Sequence, residues 1–407
     1  MYLDTKYLRL PMISSSVVGI FPWQFTFQED PKNQRNYALY SRFMLGVYMV
    51  ITLLYYSQFF MLLRENPLRP DEIGRCICIS LISTMTVVRQ FVMRLHPGYK
   101  KLLTYIIDTE RYIFAGKDQK VLSIYNKCTK TMTTNLAKYL TLVGILVFLH
   151  ALRPFFTEEF KMIGNETVEI RSFPVPSYVP FDENAHFVNA YIFTFISLMI
   201  GAYFVINTDV LMFPLLMYPI GQLEILHHIL QNFDKYSEKI KGQFQTENEE
   251  TVACAAFYYC IRKHKEVIQY MDNFNRSMSL FMIYDFVQSS LQFASVVIQL
   301  LVVQTSVWDW IFVSSFVIFS VNRLHMYYYY ANEVLLLSDS LSSSIWQSNW
   351  YEQSKKVKNM MMIFMLRTTN PLKFNIGPFG YMSLDTFIAI LKASYSYIML
   401  MYETKKT

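Results

Sequence analysis

The sequence predicts an all-α membrane protein, a seven-transmembrane-helix bundle with its N-terminus cytoplasmic and its C-terminus extracellular, and three observations carry that expectation. Of 407 residues, 53% are hydrophobic and only 17% are charged, whereas an ordinary soluble domain carries about 25% charged residues to cover its surface. Seven stretches are long and apolar enough to cross a hydrocarbon core roughly 30 Å thick, which takes about 20 residues of helix. Lys and Arg are concentrated in alternate connections between those stretches, the pattern left by retention of positive charge on the cytoplasmic side.

The first span is Tyr40 to Leu63, the second Arg75 to Met93, the third Tyr139 to Phe156 and the fourth Phe187 to Tyr218. Ser277 to Val303, Val307 to Tyr330 and Gly380 to Tyr402 complete the set. The first, third and fifth are the clearest. The second and seventh are more polar, and low polarity is what a lipid-facing helix needs, so the seventh is expected to be buried. The 33 Phe and 30 Tyr fit both a packed bundle and the bilayer edge, and the 12 Gly are too few to favour phosphate-cradling loops or a β-rich fold.

Charge sets the orientation. The N-terminal tail and the connections after the second, fourth and sixth spans together hold 26 Lys and Arg, against seven in the other connections and the C-terminal tail. That asymmetry puts the N-terminus inside, opposite to a G-protein-coupled receptor. The sequon Asn165-Glu166-Thr167 then falls outside, where Asn165 is a glycosylation acceptor, while Asn275-Arg276-Ser277 falls inside and stays unmodified.

Charges at depth need a partner or water, because one at mid-bilayer costs roughly 2.5 to 3.5 kcal/mol on insertion scales. Arg89, Arg153 and Arg323 lie within a turn or two of a span end and are expected to snorkel. Lys392 sits near the middle of the last span. At about 100° per residue, Asp385, Lys392, Ser396, Met399 and Glu403 share one face, with Leu400 at its margin. Two readings stand: Lys392 is buried against a partner on a neighbouring helix, or this face lines an aqueous pore. Four identical chains would ring such a pore with lysines and repel cations, so a cation pore implies a partner subunit without this lysine or a lysine turned aside.

Other classes are excluded or disfavoured. The start of the chain, MYLDTKYLRLPMISSS, has no signal-peptide pattern, so the first span is expected to direct insertion. Cys76, Cys78, Cys128, Cys254 and Cys260 form no CxxC pair, which reads as reduced structural cysteines with no metal site. The formal charge of +6 is dispersed among loops and marks topology, not a nucleic-acid surface. No HExxH, G-x-S-x-G or Walker A run is present, so an enzyme is not expected, and no cofactor is implied. His227 and His228 are adjacent and cannot share a helix face as metal ligands; they read as solvated loop residues. A transporter built of paired broken spans finds no internal repeat here.

The C-terminal third carries a specific resemblance. Tyr327 to Glu352, YYYYANEVLLLSDSLSSSIWQSNWYE, resembles the segment leaving the sixth span in insect odorant receptors, and Ser383 to Glu403, SLDTFIAILKASYSYIMLMYE, resembles that family's pore helix. Tyr351 to Leu366, followed by Pro371, is similar to the cytoplasmic half of its broken seventh helix, which packs subunits together in an anchor domain. The resemblance implies a six-span bundle over 1–330, cytoplasmic anchor helices over 331–379, and a pore-lining seventh span with an extracellular tail over 380–407. It also implies an odorant-gated, non-selective cation channel, a heterotetramer with an odorant co-receptor subunit, in the cell membrane of olfactory neuron dendrites. The connection from Leu216 to Arg276 is too short for the co-receptor's cytoplasmic insertion, so the chain resembles an odour-tuning subunit; a gustatory-type chemoreceptor channel of the same fold is the alternative.

By the same resemblance, a small volatile organic ligand binds in the outer half of the bundle, between spans two, three, four and six. The direction of each span then selects Ile79, Ser80, Ser83 and Thr84; Leu146, Val147 and His150; Tyr191, Phe195 and Met199; and Phe312, Ser315, Phe316 and Phe319. Such a pocket is mostly apolar, with hydroxyls and one imidazole to orient an oxygen. Ordinary helix packing would produce the same pattern. The expected pore residues are Lys392, Ser396, Met399, Leu400 and Glu403, with Met399 and Leu400 forming an apolar constriction.

Overall fold

The computed structural model describes the backbone of residues 5–27, 30–65, 68, 70–116, 118–156, 158–163, 166–171, 173–182, 185–244, 248–302 and 307–406. For 70–71, 158–163, 166–171, 243–244, 297–302, 309, 397–398 and 400–406 it describes the backbone alone. The chain begins with a short helix, α1 (Arg9–Val17), that lies against a later span, where Tyr203 donates a hydrogen bond to the Ser14 carbonyl. The first span is α2 (Pro31–Leu62): Asp30 caps it by accepting from the backbone N–H groups of Lys32 and Asn33, and Pro31, which has no N–H to leave orphaned, opens it. One face of α2 buries Ser41, Tyr48, Ile51 and Tyr55, while Leu39, Phe43, Val50, Leu53 and Phe60 point outward. An apolar outer face is what lipid requires.

The second span is α3 (Pro70–Leu95), followed by α4 (Pro97–Ala115), which starts at another proline and is capped by His96. The third span ends α5 (Gln119–Ala151), which begins at the Asp118 cap. An antiparallel hairpin follows, β1 (Glu158–Ile163) and β2 (Glu166–Arg171), in register from Glu158 opposite Arg171 to Ile163 opposite Glu166. The helix-only reading of the sequence did not foresee it. The expected glycosylation acceptor Asn165 lies outside the described residues.

α6 (Phe187–Gln231) carries the fourth span and α7 (Phe233–Phe244) follows it. The fifth, sixth and seventh predicted spans fall on α8 (Glu249–Val302), α9 (Val307–Asp339) and α12 (Leu384–Lys406), with α10 (Leu341–Trp346) and α11 (Lys355–Thr368) between the last two. Pro31–Leu62, Glu72–Leu95, Gln119–Phe155 and Phe187–Gln231 are long and apolar enough to cross a membrane, with mean hydropathies of 1.6 to 1.8.

Several helices greatly outrun a bilayer. The 45 residues of α6 and 54 of α8 correspond to about 70 and 80 Å at 1.5 Å per residue, more than twice a hydrocarbon core of about 30 Å. Their excess lies at the end of the bundle remote from the hairpin, with the start of α5, the end of α9, and α4, α7, α10 and α11. Together these form a helical annex built on the spans. Tyr270 on α8 donates to the Leu215 carbonyl, and Tyr7 donates to the Pro214 carbonyl, on the stretch of α6 that contains Pro214 and Pro219. Because α6 continues to Gln231, His227 is a helix residue and not the solvated loop residue expected. It meets Ser344 through Nδ1 and the Leu337 carbonyl through Nε2, fastening α6 to α9 and α10.

The seventh span starts four residues later than Gly380. Between α11 and α12 the chain makes a tight reversal in which Ile376 N–H donates to the Gly380 carbonyl and Met382 N–H to the Phe374 carbonyl. Gly377 and Gly380 have φ of 57° and 103°, the region glycine tolerates, and a Cβ at Gly377 would collide with Ile283. Ser383 then caps α12 by accepting from Thr386 N–H at 3.2 Å.

Candidate functional site

The bundle is organised around a buried ionic cluster. Arg89 of α3 reaches Asp209 of α6 and Asp285 of α8, and Arg323 of α9 reaches the same two carboxylates, Asp209 at 3.2 Å. Tyr139 of α5 donates to the second Asp209 oxygen at 2.7 Å, and Tyr327 of α9 to the first at 3.0 Å. Five helices therefore converge on one site, and Arg89 is only 1% exposed. Phe281 and Tyr327 present their ring faces to the Arg89 guanidinium at 5.1 and 5.7 Å. Two positive and two negative charges cancel, which is how a membrane interior tolerates them.

The snorkelling expected of Arg89 and Arg323 is thus corrected: both turn inward, because each finds two carboxylates there. Arg153 is also buried, with its guanidinium 5.8 Å from the Phe312 ring. Sequence reasoning weighed the basic residues in the spans but missed Asp209 and Asp285. The signal was present, since an unneutralised carboxylate in an apolar span is as costly as an unneutralised arginine.

The expected pocket residues occupy the hairpin end of the bundle. His150 of α5 donates through Nδ1–H to the Leu146 carbonyl at 2.9 Å, and meets Phe312 of α9 edge-on, with ring centres 5.9 Å apart. Tyr191 of α6 donates to the Ala151 carbonyl at 3.2 Å and stacks on Phe195. These contacts bring the α5, α6 and α9 members together. On α3, Ser80 and Ser83 are buried, and Thr84 shares a hydrogen bond of 2.7 Å with Tyr56 of α2. Ile79, like Leu198 of α6, packs against the cluster of Ile51, Tyr55 and Val175, a separate grouping toward α2. Phe316 joins Cys78, Val296 and Val313, while Ser315 is buried and donates to the Phe312 carbonyl. Val147, Met199 and Phe319 are half-buried.

α8 packs against both α3 and α9 here, and the sequence reading did not include it among the pocket-bearing spans. Gln288 donates to Gln292 at 2.7 Å and Gln292 to Ser320 of α9 at 2.6 Å, so a buried polar chain climbs from the ionic cluster toward the hairpin end. Two glutamines four residues apart in an apolar span share a helix face, and that spacing was legible.

On α12, Phe387 and Ile390 are buried, Phe387 against His325 and Tyr328 of α9 at 5.6 and 6.4 Å between ring centres. The opposite side exposes Asp385, Ile388, Ala389, Lys392, Ser396 and Met399, and Ser394 is half-buried. Among the described residues no carboxylate pairs with Lys392. The side chains of Leu400 and Glu403 lie outside the described residues.

The chain spans 37% of the length of odorant receptor Or2 of Anopheles gambiae, with 23% identity over 142 residues, or 35% of this chain. Putative odorant receptor 92a of Drosophila melanogaster aligns over 94% of both chains at 22% identity. Odorant receptor coreceptors of Aedes and Anopheles also match, at 18% identity. The solved structure of olfactory receptor OR5 of Machilis hrabei in complex with eugenol superposes with a TM-score of 0.72 over 98% of both chains, at 13% identity, a likeness of fold. The model of the family described as 7tm odorant receptor matches residues 69–395. That match takes in the second to sixth spans whole, the ionic cluster and the first half of α12, and the chain accordingly belongs to the 7tm odorant receptor family, a family of receptors and not of enzymes.

Proposed function

We propose that this chain is the odour-tuning subunit of a heteromeric, odorant-gated, non-selective cation channel in the cell membrane of olfactory neurons. In this reading the N-terminus and the helical annex are cytoplasmic, the hairpin end and C-terminus are extracellular, and α12 lines the pore. The observation that carries it is the exposed polar face of α12. A lysine near mid-span facing lipid costs roughly 2.5 to 3.5 kcal/mol, so the face bearing Lys392, Ser396 and Met399 belongs against water, on the axis of an assembly. The matches to co-receptors support a partner subunit of related fold, and a co-receptor lacking this lysine would dilute the positive ring.

The ligand is a small volatile held at the hairpin end by Tyr191, His150, Phe312 and their neighbours, mainly by shape and dispersion. Odorant binding acts on the pore through α9, which carries Phe312 and Ser315 at one end, Arg323 at the ionic cluster, and His325 and Tyr328 against Phe387 of α12. The ligand must favour the open arrangement by its differential affinity for the two states.

Whole-cell recording with and without a co-receptor, combined with cysteine substitution, tests the reading. Odour-evoked current requires the co-receptor, and a water-soluble thiol reagent changes that current at K392C, S396C and M399C but not at S394C. Replacing Leu400 by a polar residue raises basal current and leaves the rank order of odorants intact. Equal modification at positions 394 and 396, with no effect at 400, would place the pore elsewhere.

A further inference from the structure

A cleft of about 360 Å3 opens in the helical annex, far from the odorant pocket, lined by Asp118 and Lys120 at the start of α5, His228 and Asn232 at the end of α6, and Lys235, Tyr236 and Lys239 on α7. Its charges do not cancel. Asp118 is already saturated: one oxygen accepts from the backbone N–H groups of Lys120 and Val121 at 2.9 and 3.1 Å, and the other from the Lys239 ammonium at 2.9 Å. Burial raises its pKa, but the bonds from Lys239 and Val121 outweigh that and hold it below the ordinary range.

Lys120 and Lys235 are left without a carboxylate among the described residues, Lys235 touching only the Asn232 amide at 3.4 Å. His228 registers their field: burial and then Lys120, with Lys235 adding to it, depress its pKa despite Asp118 nearby. The cleft therefore presents two uncompensated ammonium groups, a half-neutralised third, an imidazole and a carboxamide from three helices. Converging cations with hydrogen-bond donors match a compact, doubly charged oxyanion.

Position decides between a lipid headgroup and a soluble ligand. The 33 residues of α5 extend about 50 Å, and crossing the hydrocarbon takes about 30 Å of that. Lys120 consequently lies about 20 Å beyond the hydrocarbon boundary, whereas the headgroup layer reaches only about 5 to 8 Å past it.

We propose that this cleft is a binding site for a soluble phosphorylated small molecule, with a phosphate monoester or diphosphate group seated between Lys120, Lys235 and His228. Binding there would clamp the start of α5 to α6 and α7, and so fix the annex beneath the bundle.

The test uses the full-length purified chain in detergent micelles, with inorganic pyrophosphate as probe, and reads both isothermal titration and thermal unfolding at constant ionic strength. The expected result is saturable binding, with a rise in Tm that follows occupancy. The double variant K120A/K235A should weaken binding by about tenfold or more, because two charge-assisted hydrogen bonds are lost. K355A/K356A, on the exposed start of α11, serves as a control of equal charge change and should bind as the parent does. Linear, non-saturating heat, or equal loss in both double variants, would overturn the proposal in favour of non-specific screening. A second arm reconstitutes the chain in phosphatidylcholine vesicles with and without phosphatidylinositol 4-phosphate. If the lipid displaces pyrophosphate, the site takes a headgroup and the soluble-ligand proposal fails. None of these readouts depends on odorants or current.

Discussion

Neutralising Asp285 tests whether the buried ionic cluster holds the bundle together. Asp285→Asn is nearly isosteric, so packing is retained, but two guanidinium groups then share the single carboxylate of Asp209. Arg89 and Arg323 each lose one charged acceptor, and the site changes from neutral to a net positive charge in a low-dielectric interior. Breaking a buried pair by removing one partner costs about 3 to 5 kcal/mol, chiefly as the penalty of the charge left behind. The companion R323Q carries the opposite imbalance and should cost a similar amount. The double variant D285N/R323Q leaves Arg89 with Asp209, a balanced pair still braced by the hydroxyls of Tyr139 and Tyr327. It should therefore be less destabilised than the sum of the single variants by about 2 kcal/mol or more, a coupling within the range of residues in direct contact. Denaturant unfolding of the purified chain in detergent, followed by near-ultraviolet circular dichroism, measures each corner of the cycle. Single variants costing under about 1 kcal/mol, with additive effects in the double, would refute the claim that the cluster is a mutually compensating unit.

The remaining expectations are simpler. An epitope at the C-terminus should be detected on intact cells and one at the N-terminus only after permeabilisation; the reverse staining would overturn the orientation drawn from the charge asymmetry. His264 of α8, 4% exposed and 5.0 Å between ring centres from Phe364 of α11, has its pKa pushed down to about 4 by burial and then by Arg367. Because its folded value lies below the unfolded value of about 6.5, stability is complete above that pH and falls as pH drops toward 4, by about 2 kcal/mol at pH 5. Unfolding measured from pH 7.5 to 5 should show this slope in the parent and lose it in His264→Phe; an unchanged slope in the variant would assign it to other groups.

Much of the architecture was legible in the sequence because bilayer insertion is governed by local properties. A window of about 20 apolar residues is a span wherever it occurs, and the seven windows correspond to helices in the structure. The motifs of the C-terminal third were equally local, and they pointed to the family that the comparison with known proteins established. Helix ends were less legible. Nothing in hydropathy says that α6 continues from Tyr218 to Gln231, because beyond the bilayer a helix persists by packing on its neighbours, as His227 does on α9 and α10. Hydropathy likewise gave no sign of the hairpin between α5 and α6.

What the sequence determined by itself is therefore the class of solvent each segment meets: which stretches enter lipid, which connections stay in water, and that α12 has a polar face. What only the tertiary structure decided is who neutralises whom. Arg89 meets Asp209 and Asp285 across 120 and 196 residues, and no local pattern encodes such a partnership. Read along the chain, an arginine near a span end should escape to the interface. In the folded bundle the same arginine turns inward, because five helices have brought two carboxylates and two phenols to within hydrogen-bonding reach, and a paired charge in the interior is cheaper than two unpaired ones.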